Sequence, residues 1–100
     1  MAWKEAEQVS ANKLGSTGTV SLPYTATRDC FMIARAAANS NVTGSLYLKS
    51  AFYGDHYGDV MAINGGNATI SFPVVKGDTI SLQSESNLIY KSYRVIHMND

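Results

Sequence analysis

Asn64-Gly65-Gly66-Asn67-Ala68-Thr69-Ile70-Ser71-Phe72-Pro73-Val74-Val75-Lys76-Gly77-Asp78-Thr79-Ile80-Ser81-Leu82 reads as two β-strands set between turns. Ile70, Phe72 and Val74 recur at every second position, the period of a strand with one buried face. Ile80 and Leu82 resume the pattern after Lys76-Gly77-Asp78, a tight turn. Asn64-Gly65-Gly66-Asn67 offers the positive-φ residues that a hairpin turn requires. The same grammar extends both ways. Residues 19–25 place Val20, Leu22 and Tyr24 on one side, and Pro23 removes a ladder donor, so this strand lies at an edge or ends early. Residues 30–38 are rich in alanine but lack both a capping box and a 3.6-residue period, which predicts a strand. Residues 44–52 keep Leu46, Leu48 and Phe52 in phase, residues 60–63 form a short strand, and residues 88–98 close the chain. Seven or eight strands at about ten-residue spacing predict an all-β antiparallel sandwich or barrel.

Composition agrees and excludes several functions. The chain has 100 residues, 45% of them hydrophobic and only 16% charged, with eight Lys+Arg against eight Asp+Glu. Charged residues average about 25% of a globular domain, so Ser, Thr and Asn must supply much of the surface polarity. No basic excess supports a protein that tracks nucleic-acid phosphates. No apolar run approaches the roughly 18 residues of a membrane helix, so no membrane insertion is expected. One domain is expected over residues 19–100, preceded by a frayed or helical arm over residues 1–18 that ends at Leu14-Gly15-Ser16-Thr17-Gly18. Met1-Ala2-Trp3-Lys4-Glu5-Ala6-Glu7 is charged and lacks the apolar core of a signal peptide, so synthesis in a reducing cytoplasm is expected. Cys30, the single cysteine, excludes an intrachain disulfide and any multi-cysteine zinc site.

Small β domains without disulfides often gain burial by associating with copies of themselves. Two segments read as apolar on both faces. In residues 30–38, Phe31 and Ile33 oppose Met32 and Ala34. In residues 88–98, Leu88, Tyr90, Ile96 and Met98 oppose Ile89, Tyr93 and Val95. A strand with one solvated face should alternate cleanly, so either loops or another subunit must cover the second face. The subunit reading gives an expected interface of Phe31, Ile33, Tyr90, Tyr93 and Val95. Arg35, Lys49 and Arg94 also fall within strands, where they either meet solvent or pair with acids across such a seam.

Catalytic signals are weak. Only His56 and His97 are near-neutral bases, and His97 sits in an apolar terminal strand. Cys30 lies in an apolar run without a nearby Lys or His, as an inert buried thiol does. No nucleophile elbow, metalloprotease helix, phosphate loop or dinucleotide fingerprint occurs. Asp55, Asp59, Asp78 and Glu85 could converge as glycosidase acids, though nothing favours it. No catalytic residue, metal or cofactor is expected. The best local candidate is Tyr53-Gly54-Asp55-His56-Tyr57-Gly58-Asp59, a tandem Tyr-Gly-Asp. Tyr53 and Tyr57 supply flat faces for a sugar ring or a protein surface. Asp55, His56 and Asp59 supply acceptors for hydroxyl groups, or ligands for a cation on a three-fold axis. The competing reading is a polar hairpin tip with no ligand. Asn41-Val42-Thr43 and Asn67-Ala68-Thr69 match the glycosylation acceptor pattern but, without a secretory signal, read as chance.

Three segments together resemble a known family. Leu22-Pro23-Tyr24-Thr25-Ala26 with Arg28-Asp29-Cys30-Phe31 is similar to the opening of small jelly-roll head domains at the ends of bacteriophage tail-fibre, baseplate and related virion proteins. Asn64-Gly65-Gly66 ahead of residues 70–80 resembles their Val-Lys-Gly-Asp turn, and Tyr93-Arg94-Val95-Ile96 their last strand. Asp29-Cys30 stands where such domains often have Asp-Gly. The resemblance spans roughly residues 20–98. It implies a jelly-roll β-sandwich akin to the trimeric heads of the complement and tumour-necrosis-factor class, located in a virion. The expected function is a non-catalytic homotrimeric appendage that recognises a host-surface glycan or protein. The alternatives are a purely structural trimerisation or capsid-decoration module, a monomeric carbohydrate-binding module, and a small hydrolase.

Overall fold

The structure, a computed structural model, describes residues 14–98. The expected arm falls mostly on residues outside this range. Eight strands follow in order: β1 (Leu14–Val20), β2 (Tyr24–Thr25), β3 (Cys30–Ala38), β4 (Thr43–Ser50), β5 (Gly54–Ile63), β6 (Asn67–Val74), β7 (Thr79–Ser86) and β8 (Leu88–Met98). They form two four-stranded antiparallel sheets, sheet A in the order β1-β8-β3-β6 and sheet B in the order β2-β7-β4-β5. Every connection crosses to the other sheet except the β4–β5 hairpin. That winding makes the fold an eight-stranded jelly roll, a sandwich built from Greek keys.

Alternation explains the layering. β3 buries Cys30, Met32, Ala34, Ala36 and Ala38 and turns Phe31, Ile33, Arg35 and Ala37 outward. From sheet B, Leu46, Leu48, Val60 and Ile80 meet them with no exposed surface. β3 is flanked by β8 and β6, so its small inward alanines sit where the two sheets close on each other.

Four expectations change. Residues 14–18, assigned to the arm, belong to β1 and pair with β8. This is an edge strand, packed from one side only, and Gly, Ser and Thr suffice there. Residues 19–25 are not one strand: the chain leaves sheet A after Val20 and enters sheet B at Tyr24, with Pro23 in the bend between. Residues 54–59 are largely strand, so β5 starts well before Val60. Phe52, expected in phase with Leu48, lies past the end of β4 and is exposed, while Ser50 takes the buried position.

The expected interface divides. Ala37 pairs with Tyr90 and Ala38 with Leu88, so Ile89 is an extra residue that bulges from the ladder. The bulge puts Leu88 against the core and Tyr90 on the outside. Farther along β8, Tyr93 opposite Ala34 and Val95 opposite Met32 are buried in this chain's own core. They are therefore core residues and cannot form an outer seam. Phe31, Ile33 and Tyr90 do share the outward face of sheet A.

Candidate binding site

A buried carboxylate organises the start of the tandem Tyr-Gly-Asp segment. Asp78 is fully buried at the mouth of β7, just after Gly77 takes φ +90 in the turn, a conformation cheap only for glycine. Asp78 Oδ2 accepts from Ser50 Oγ at 2.5 Å, and Oδ1 accepts from the Phe52 amide at 3.2 Å. Ser50 Oγ in turn accepts from the amides of Phe52 and Tyr53 at 3.2 and 3.0 Å. The backbone completes the clamp, with the Ala51 amide donating to Thr79 O and the Ala26 amide to Asp78 O. A buried charge persists only where donors satisfy it. Here those donors belong to the corner that launches residues 53–59.

Beyond the corner the candidate residues part into two groups. Tyr53 stacks on Tyr57 with ring centroids 5.5 Å apart and planes at 12°. Tyr57 presents its ring to Phe72 edge-on at 5.3 Å and donates its hydroxyl to Pro73 O at 2.5 Å. These contacts join β5 to β6 and close one side of the sandwich. Gly58 is required there, since a Cβ would lie 2.9 Å from Phe72 Cε1. Burial, with smaller contributions from Tyr53 and Asp78, raises the Tyr57 phenol above its ordinary pKa of 10.0 and keeps it a donor. Tyr53 is 61% exposed and offers its free face to solvent.

His56 and Asp59 lie instead on the outward face of sheet B. His56 Nδ1 is 3.2 Å from Asp59 Oδ2, and its ring meets Tyr47 edge-on at 5.0 Å. The His56 amide donates to Gln83 Oε1 at 2.9 Å. Asp55 is exposed between the two groups. Among the described residues, no three His, Cys, Asp or Glu side chains stand close enough to hold a metal ion. The tandem is therefore two half-sites back to back: an aromatic edge and a polar face.

Sequence reasoning missed Asp78 as the anchor, although the Gly-Asp turn signalled it. It also missed Ser50, Tyr47 and Gln83, which come from strands whose register no local pattern reveals. Cys30 is free and buried, and burial is the main cause that raises its thiol pKa above 9.0. That is the environment of an unreactive thiol. Compared with protein-family models, curated proteins and solved structures, the chain matches none.

Proposed function

We propose that this chain is a non-catalytic head domain of a virion or tail appendage. It assembles as a homotrimer through the apolar end of sheet A's outward face and touches a host-surface glycan or protein with the aromatic edge at Tyr53. One observation carries the reading: Phe31, 39% exposed, sits on the outward face beside its ladder partners Ile96 and Pro73, with Ile33 on the same face of β3. Apolar side chains grouped in this way on a small β domain mark a contact surface. A standard interface buries about 800 Å² per partner, which is a modest part of the 6090 Å² this chain exposes. One sheet face can supply it.

The virion assignment rests on the ordered resemblance of three segments, and the jelly roll agrees with the fold that resemblance implies. Fold alone does not specify function. Surface recognition is supported by Tyr53, an aromatic face held open on a rigid corner, which stacks on a sugar ring at small entropic cost. Copies in one particle make weak contacts effective together.

One observation favours the alternative of a purely structural module. Tyr57 is committed to Phe72 and Pro73, and residues 54–59 are strand, so the segment is less adaptable than a loop. Adsorption separates the two readings. The recognition reading expects the purified protein to adsorb to host cells and Tyr53→Ala to abolish adsorption while leaving the mass in solution unchanged. A structural module would not adsorb at all.

A further inference from the structure

The outward face of sheet A is ordered in rows by strand pairing. The first reads Thr17, Ile96, Phe31, Pro73, and the second Thr19, Arg94, Ile33, Ser71. The third reads Ser92, Arg35, Thr69, and Tyr90 beside Ala37 follows. The apolar side chains thus gather at one end, and the middle is cationic and rich in hydroxyls. Arg94 and Arg35 are diagonal neighbours on adjacent strands, within reach of a shared small group. They line a depression of about 400 Å³ with Thr19, Thr69, Ser92, Tyr90, Ile33 and Tyr93.

No residue in these rows is an acid, although the chain has eight. Among the described residues the acid–base side-chain contacts are His56–Asp59 and Lys91–Glu85, so neither arginine meets a carboxylate among them. Two guanidinium groups set diagonally concentrate positive charge and hydrogen-bond donors at one place on the sheet. Their pairing here acquires a purpose if an external anion completes it.

The geometry points to a binding site for an acidic saccharide, its carboxylate or sulfate held between Arg35 and Arg94. The guanidinium fork matches a planar or tetrahedral oxyanion with two parallel hydrogen bonds. The hydroxyls of Thr19, Thr69 and Ser92 meet the ring hydroxyls, and Tyr90, 52% exposed, gives the sugar a stacking face. This site lies on sheet A, apart from the aromatic edge at Tyr53, and goes beyond the proposed function.

Calorimetric titration of the whole chain in low salt with 3′-sialyllactose, a disulfated heparin disaccharide, lactose and inorganic phosphate tests it. At least one acidic sugar binds, lactose does not, and phosphate binds at least about tenfold more weakly because it cannot stack. Arg35→Gln and Arg94→Gln each weaken binding about tenfold or more, with unchanged circular dichroism, and Arg35→Lys restores only part. Binding also weakens with added salt. Lactose binding as well as the acidic sugars, phosphate binding as tightly as they do, an unaffected Arg35→Gln/Arg94→Gln double variant, or no acidic sugar binding would each overturn the proposal. Light scattering on the same samples keeps the two readings apart. A single-chain mass with acidic sugar bound refutes the trimer and upholds this site, whereas a trimer that binds no acidic sugar refutes this site alone.

Discussion

Asp78 shows how one side chain sets the position of others far along the sequence. Its carboxylate has no contact with solvent and holds Ser50 and the Phe52 amide, 28 and 26 positions away. Asp78→Ala leaves the buried Ser50 hydroxyl without its acceptor and the Phe52 amide with Ser50 Oγ alone, and we expect a loss of about 1–3 kcal/mol in urea unfolding. The tyrosine of the aromatic edge should also respond if its tight neighbour is enlarged. Gly58→Ala pushes a methyl group against Phe72, and a cost of about 1–3 kcal/mol is expected from overpacking. Ionisation gives a further test. Tyr24, Tyr57 and Tyr93 all have pKa values raised above 10.0, and Cys30 above 9.0, in each case chiefly by burial. A raised folded-state pKa means that the folded chain holds its proton more tightly than the unfolded chain. Stability is therefore at its full value below pH 9 and falls as pH rises through the unfolded values and then the folded ones. Urea midpoints measured from pH 8 to 12 check the sign, and an increase with pH would refute it. None of these couplings is visible in a linear text. Gly77-Asp78 announced a turn, but what the carboxylate meets depends on β4, which arrives from elsewhere.

Strands were legible wherever one face is buried and the other wet. Residues 68–74 show that alternation, and so do residues 30–38 once Arg35 is counted with the outward set. In β7 Ile80 is buried, but Leu82, expected on the same buried face, is 38% exposed and lines an open groove with Val20, Leu22 and Tyr93. Reading fails where an element answers to something other than period two. β1 has too few apolar residues to announce itself, because an edge strand is fixed by its backbone bonds to β8. The turn of chain at Pro23 separates two short strands that share one apolar phase, so they read as a single strand. In β8 the Ile89 bulge shifts the phase between Leu88 and Tyr93, which is why Tyr93 and Val95 seemed available for a seam. β5 carries two polar, glycine-containing Tyr-Gly-Asp units and looks like a loop, yet its pairing with β4 extends to Gly54 opposite Ser50. The consequence for the candidate site is that its aromatic edge is preformed. Tyr53→Ala should cost about 1 kcal/mol or less, since it removes one stacked pair from an exposed position. Thermal unfolding of that variant within a few degrees of the wild type is the expected result. A collapse of stability would mean that Tyr53 holds the corner rather than presenting a surface.

The jelly-roll winding gives the whole molecule two unlike outer faces. Sheet B's carries His56, Asp59 and Tyr47, and sheet A's carries an apolar end and a cationic middle with no acid. The strand count and the sandwich could be read from spacing, but the division of each face could not, because rows across a sheet depend on register. Of the apolar residues on the two faces of β3 and β8, Tyr93 and Val95 belong to the core, and Phe31, Ile33 and Ile96 remain on the outward face as a contact surface. Phe31→Asp places a charge at the centre of that group without touching the core, so a large effect on assembly with little effect on folding is expected. Multi-angle light scattering across a range of protein concentrations tests this most directly. A particle of three times the 10.8 kDa chain mass, reduced to one chain by Phe31→Asp, is the predicted result. A wild-type particle of one chain at every concentration would contradict it.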